Sequence, residues 1–212
     1  MITIAIAKGR MQDDALALLA RAGIRLTAEQ IKSRKLALTD ESGEYRFLFV
    51  KPSDVPVYVE HGIADCGVVG RDVLLESEAD LLLPLDLGIA RCRIVVAAAD
   101  PEIMTRAAGM LRVATKYEQI AATHFGSRGM PVEIIKLSGS VELAPALGLA
   151  DLIVDLVETG TTLRENGLTV VEEITQSTGR LVVNRASYQL KAEAVARLVN
   201  ALRAALNGGE QP

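Results

Sequence analysis

The chain has no tryptophan, only three phenylalanines and four tyrosines, so its core must be aliphatic and an adenine pocket in it cannot rely on an indole platform. Cysteine is as scarce. Cys66 and Cys92 stand apart in apolar, strand-like runs, where buried thiols are common, and without CxxC spacing neither is assigned a function. His61 and His124 are isolated and read as surface helix residues, since metal sites need further ligands at set spacing. There is no basic excess either: a net charge of -4 argues against a nucleic-acid surface, which needs a clustered basic face, while a local pocket for a free nucleotide stays possible. No apolar run approaches the ~20 residues that span a bilayer. The start, Ile2-Thr3-Ile4-Ala5-Ile6-Ala7, is strand-like and lacks the basic head of a secretory leader, so a cytoplasmic protein is expected. What is present is ordinary globular material: 212 residues, half of them hydrophobic and 24% charged, enough for one large domain or two lobes of about 100 residues each.

The chain is organised around Asp151 to Leu168. An apolar run, Leu152 to Val157, breaks into Thr159-Gly160-Thr161-Thr162 and then into Leu163-Arg164-Glu165, a strand, loop and helix start. Such a unit suits a phosphate, because Gly160 admits close backbone approach and the open N–H groups of a helix start face an anion. Thr159, Thr161 and Thr162 add hydroxyl donors. Asp155 and Glu158 flank the loop, where carboxylates accept hydrogen bonds from sugar hydroxyls or help hold magnesium. Acids beside a phosphate loop suggest a ribose 5-phosphate. The Thr-Gly-Thr-Thr alone fits an ordinary threonine N-cap equally well, and it is the flanking acids that tip the balance.

Along the rest of the chain, strands and helices alternate, as in an α/β protein. Lys8-Gly9-Arg10 is a basic turn ahead of an amphipathic run from Asp14 to Ala22. Ser33 to Leu38 and Arg46 to Val50 read as two strands, and Ser53 or Asp54 caps a helix running to His61. Ala64 to Val69 is a buried strand, followed by a short helix to about Ser77 and an extended stretch from Asp80 to Leu87. A second series begins at Cys92: strand Ile94 to Ala99, helix Pro101 to Gly109, strand Leu111 to Thr115, helix Tyr117 to Phe125 and strand Val132 to Leu137. Ser138-Gly139-Ser140 then offers a second anion nest, with Ser140 as the cap and Glu142 in the first turn of a helix. Leu168 to Ile174 and Leu181 to Asn184 are strands about a turn at Ser177 to Arg180. One closing helix is expected from Tyr188 to Leu206, with Leu190, Ala194, Leu198, Leu202 and Leu206 on one face, and the last residues should fray.

The stretch around Thr159 to Thr162 resembles the phosphoribosyl-diphosphate (PRPP) signature of ATP phosphoribosyltransferases, in their short form. The likeness extends through Lys8-Gly9-Arg10, Ser33-Arg34-Lys35-Leu36, Asp54-Val55-Pro56, Ala64-Asp65-Cys66-Gly67-Val68-Val69-Gly70 and Gly139-Ser140-Val141-Glu142-Leu143-Ala144-Pro145. It implies a two-lobed α/β fold of the periplasmic-binding-protein type II class with a central interlobe cleft. Lobe I would comprise 1–90 plus 181–212, and lobe II 91–180. The implied reaction moves the phosphoribosyl group of PRPP to N1 of ATP, with Mg2+ carried mainly by PRPP.

Residue by residue, the resemblance makes Arg10 and Arg34 the catalytic candidates, facing pyrophosphate and triphosphate. Thr159, Gly160, Thr161 and Thr162 would hold the 5-phosphate, Asp155 and Glu158 the ribose hydroxyls, and Ser140 and Glu142 the ribose and magnesium-pyrophosphate. Lys8, Gly9, Lys51 and Asp54 are weaker candidates for ATP, and Lys51 stands where the family pattern has an arginine. The long form's histidine-binding C-terminal domain has no counterpart here. The likeness thus implies a homodimer as building unit and a hetero-octamer with a regulatory subunit similar to histidyl-tRNA synthetase. Two other readings are a non-enzymatic solute-binding module of the same fold and a purine-salvage phosphoribosyltransferase. The second would have consecutive acids before its loop, whereas Leu156-Val157 separate Asp155 from Glu158. The first lacks the export signal such modules carry.

Overall fold

The computed structural model describes residues 1–106 and 109–208. The fraying expected over 209–212, and Ala107-Ala108 of the helix expected over 101–109, lie outside them. Along the chain run β1 (Ile2–Ala7), α1 (Arg10–Arg21), α2 (Ala28–Lys32), β2 (Ala37–Thr39), β3 (Tyr45–Val50), α3 (Asp54–Glu60), β4 (Cys66–Gly70), α4 (Arg71–Ser77) and β5 (Leu82–Asp86). There follow β6 (Cys92–Ala98), α5 (Ile103–Arg106), β7 (Leu111–Thr115), α6 (Glu118–Gly126), β8 (Val132–Lys136), α7 (Leu143–Ala146), β9 (Leu152–Val157), α8 (Thr161–Glu165) and β10 (Thr169–Ser177). The chain closes with β11 (Gly179–Val183), α9 (Arg185–Leu190) and α10 (Ala192–Asn207). None of the described helices is long and apolar enough to cross a membrane.

The described residues form two units, 1–90 with 178 onward, and 91–177. The return falls at Ser177/Thr178 rather than after Arg180, because β11 begins at Gly179 and already pairs with β4. In the first unit the sheet order is β2-β3-β1-β4-β11-β5, with β1 parallel to β3 and β4, and β11 antiparallel to both of its neighbours. Period-two alternation sorts the side chains. Ile2, Ile4 and Ile6 of β1 pack with Leu18 and Leu19 of α1 and Leu198 and Leu202 of α10, while Ala5 and Ala7 meet Val55 and Val59 of α3 on the other face. Small residues on that second face let α3 lie close to the sheet.

In the second unit the order is β10-β6-β9-β7-β8, with β7 parallel to β8 and β9, and β6 antiparallel to β9 and β10. One face packs on α6 through Ile120, Ala121 and Phe125. The other is covered by Val141, Ala144, Leu163 and Leu168, from the α7 and α8 segments.

Several sequence expectations are corrected. Ser33 to Leu36 is not strand: a capping box, in which Thr27 Oγ1 accepts from Gln30 N and Gln30 Oε1 from Thr27 N, starts α2, and the chain turns out of it at Ser33. The amphipathic run begins at Arg10, ahead of Asp14. The two strands about Ser177 to Arg180 go to different sheets, β10 joining β6 in one and β11 joining β4 in the other. The single closing helix is two helices, broken at Lys191 (φ -121°). Leu190, expected on its apolar stripe, is therefore 85% exposed.

Candidate functional site

In the second unit, β9 carries Asp155 between Ile153 and Val157, which are both buried on the α7/α8 face. Alternation puts the carboxylate on that same face. Past Val157 the chain turns through Glu158-Thr159-Gly160. Gly160 has φ 76°, the left-handed conformation that glycine adopts without penalty, and it caps α8, which Leu163 anchors in the core. The threonines converge: Thr159 Oγ1 and Thr161 Oγ1 lie 3.1 Å apart. Arg164, which sequence reading passed over, holds the loop from within α8. Its Nη1 donates to Thr159 O at 3.2 Å and its Nη2 to Thr161 Oγ1 at 3.1 Å.

A second loop reaches this sheet face. Ser140 has φ 49°, one of three non-glycine residues with positive φ among those described, a conformation that costs of order 1 kcal/mol. Two corrections follow. Ser140 does not cap a helix by its side chain, and Glu142 is not in a first turn. Glu142 occupies the N-cap position of α7 without a side-chain cap bond, so its carboxylate is not spent on the helix. Val141 and Ala144 are buried in the same cluster as Ile153, Val157 and Leu163, which ties the Ser140–Glu142 loop to the threonine loop.

Burial raises the pKa of Asp155; the Leu156 N–H and Lys116 oppose the rise, and Glu142 adds to it. This sensitivity to both Lys116 and Glu142 marks them as electrostatic neighbours of Asp155. No three His, Cys, Asp or Glu side chains among the described residues converge as a metal cage.

The first unit holds the basic candidates. β1 and β3 are parallel with Ala7 opposite Val50, so Lys8 and Lys51 leave adjacent strand ends side by side. Lys8 N donates to Val50 O at 2.8 Å. Gly9, with φ 96°, turns the chain so that Arg10 is the first residue of α1, where its Nη2 reaches Ala90 O at 3.5 Å. Arg34 lies in the loop between α2 and β2, on the wall of a cavity of about 80 Å³. Lys8, Gln12, Ser33 and Lys35 share that wall, and Ser33 Oγ is buried there with no hydrogen-bond partner. Three cations around an unsatisfied hydroxyl suit an anion. Asp54 is the first residue of α3, and its Oδ1 accepts from Ser53 Oγ at 3.1 Å. Thus Lys8, Gly9, Arg10, Arg34, Lys51 and Asp54 belong to one unit, and Ser140, Glu142, Asp155, Glu158 and Thr159 to Thr162 to the other.

Comparison with known proteins shows the family. The family profile described as "HisG: ATP phosphoribosyltransferase" matches residues 51–204. A curated ATP phosphoribosyltransferase of Sorangium cellulosum is 51% identical over 98% of this chain and 97% of its own length. Among solved structures, a chain of the ATP phosphoribosyl transferase (HisG:HisZ) complex of Thermotoga maritima superposes with a TM-score of 0.84 at 36% identity, over 98% of this chain and all of that one. The VFT2 domain of BvgS from Bordetella pertussis, at 12% identity, TM-score 0.58 and coverage of 97% and 91%, shares the fold alone.

Proposed function

Because this chain belongs to the ATP phosphoribosyltransferase family, we propose that its threonine loop and the carboxylates around it hold PRPP for transfer to ATP. The reaction is the first step of histidine biosynthesis: N1 of the adenine attacks C1 of the ribose, the C1–O bond breaks, and diphosphate leaves with the electron pair. Positive charge builds on the ribose and negative charge on the leaving group, so the protein's work is alignment and charge stabilisation, without a covalent nucleophile. The observation that carries the assignment is Asp155 and Glu142 on the sheet face from which the Thr159–Thr162 loop projects.

In this reading Thr159, Thr161, Thr162 and the Gly160 backbone bind the 5-phosphate. Asp155 and Glu158 accept from the ribose hydroxyls, and Ser140 and Glu142 face the ribose and the diphosphate. Arg10 and Arg34 neutralise the phosphates, where a guanidinium forks onto two oxygens. Lys8, Gly9, Lys51 and Asp54 serve ATP, with Lys51 a point charge in place of an arginine's fork. Magnesium fits as an ion brought by the donor's diphosphate oxygens, with Asp155 and Glu142 the carboxylates that would face it, because no closed cage converges among the described residues. When bound it spreads the charge of the leaving diphosphate. The Thermotoga maritima relative is solved with HisZ, and a regulatory subunit of that kind is the partner proposed for this chain. Its substrates, ATP and PRPP, are cytoplasmic metabolites, which favours that compartment.

Calorimetric titration with PRPP tests the loop. Thr161→Ala removes one hydroxyl bond to a charged oxygen, about 1.5–3 kcal/mol, and should weaken PRPP roughly tenfold to a hundredfold. Gly160→Val, strained at φ 76°, should lose more, with thermal melts showing both variants folded. Wild-type affinity in the folded variants would refute the assignment.

A further inference from the structure

The threonine loop is braced by a residue with no role in the reaction so far, Arg164, the fourth residue of α8. Its backbone N–H donates to Gly160 O at 3.2 Å while its Nη1 donates to Thr159 O, also at 3.2 Å, so one residue takes two consecutive carbonyls of the loop. Both peptide units are trans, and in a trans peptide the C=O and the N–H point opposite ways. Tying down the Thr159 carbonyl therefore turns the Gly160 N–H to the side away from the guanidinium. The guanidinium lies against the glycine itself, since a Cβ at Gly160 would come within 3.4 Å of Arg164 Nη1. Its helix is held in turn, by Leu163, only 5% exposed in the core, and by Asn166 Nδ2, which donates to Thr162 O at 2.9 Å.

The second arm of the fork sets the hydroxyls. Nη2 donates to Thr161 Oγ1 at 3.1 Å, and Thr161 N donates to Thr159 Oγ1 at 3.4 Å. Each hydroxyl oxygen thus already accepts from an N–H and keeps its own hydrogen to give. One of those hydrogens can bridge the 3.1 Å between the two oxygens, and the other is left for a ligand. A loop whose carbonyls and hydroxyl oxygens are engaged from inside, with donors turned outward, suits a group that only accepts, such as a fully ionised phosphate. We propose that Arg164 is a positioning residue of the phosphoribosyl-donor site: it fixes the Gly160 N–H and the Thr161 hydroxyl as donors to the 5-phosphate without itself touching that group. Lysine could not replace it, because a single ammonium has no planar fork to span Thr159 O and Thr161 Oγ1. This inference rests on the assignment of the loop to the 5-phosphate.

The test is calorimetric titration with PRPP and with ribose 5-phosphate, beside steady-state kinetics, of the wild type, Arg164→Met, Arg164→Lys, Thr161→Ala and the Arg164→Met/Thr161→Ala double variant. Arg164 is exposed, so thermal melts of its variants should match the wild type. Arg164→Met should weaken both ligands about threefold to tenfold, with the loss falling on KM for PRPP more than on kcat. Arg164→Lys should bind like Arg164→Met rather than like the wild type. In the Thr161→Ala background the Arg164→Met loss should shrink, because one of the two groups it holds is gone. Wild-type affinity in Arg164→Met, while Thr161→Ala is impaired, overturns the role of Arg164 and leaves the loop assignment standing. Recovery in Arg164→Lys would mean that charge alone matters, and losses that multiply in full in the double variant would mean that Arg164 acts apart from the hydroxyl; either overturns the proposal. Wild-type affinity in Thr161→Ala overturns the loop assignment and the role of Arg164 together.

Discussion

Asp65 lies in a stretch the sequence marks out by family likeness, yet its work is structural. Its carboxylate is buried, accepting from Thr3 N at 2.9 Å, Ser187 Oγ at 2.7 Å and Lys191 Nζ at 2.8 Å. Burial alone would raise its pKa, but the bonds from Lys191, Thr3 and Ser187 outweigh it and hold the group below the usual carboxylate range. A folded pKa below the unfolded one, near 4, means that the stabilisation is complete above that pH and is lost as pH falls through the folded value. Asp65→Asn should therefore cost about 1.5–3 kcal/mol at pH 7, and urea melts at lower pH should show the gap from wild type closing. None of these partners could be read from the sequence, because Ser187 and Lys191 come from the far end of the chain. His124 departs from its sequence expectation for the same reason. Expected at the surface, its side chain is only 8% exposed, with Nε2 3.5 Å from Glu172 Oε2, and Glu172 is in turn paired with Arg128. Burial, and after it Arg128, push the imidazole pKa down.

At the level of elements, regular alternation was legible and interruptions were not. β1 and β9 have the expected bounds, because their apolar runs end abruptly at a basic turn and a Thr/Gly loop. The α9/α10 break is hidden in the sequence because a leucine stripe continues through Lys191, while in space that residue turns aside to bond Asp65. α2 buries none of its residues, so its pattern carried no apolar signal, and its capping box was the cue available. The seating of α3 on the sheet depends on Gly67. A Cβ there would come within 2.7 Å of Val55 Cγ1, 2.9 Å of Val59 Cγ2 and 3.1 Å of Val182 Cγ2. Gly67→Ala should therefore overpack this face and destabilise by about 1–3 kcal/mol in denaturant melts. PRPP affinity should be retained by the folded fraction, since the donor loops belong to the other unit.

For the whole molecule, regulation is expected to reside with a partner. The curated relative matches this chain over 97% of its own length, and the Thermotoga maritima relative is solved together with HisZ. Steady-state assays of the isolated chain should thus show ATP and PRPP turnover that histidine leaves unchanged, with inhibition appearing once a HisZ-type subunit is added. Strong histidine inhibition of the chain alone would contradict this. The fold class was readable because helices and strands alternate twice, but the pairing of the antiparallel strands was not, since β10 and β11 are neighbours in sequence and part into different sheets. That parting bears on how the protein emerges from a ribosome. Residues 91–177 form a continuous segment, so every strand of their sheet is available before Thr178 is made. The first sheet must wait, because β11 lies between β4 and β5, and those two strands cannot join it until Val183 has left the exit tunnel. The amino-terminal half is thus synthesised first and completed last, its strands β4 and β5 spending about half of translation with unpaired edges, the interval in which a chaperone or a protease meets the chain.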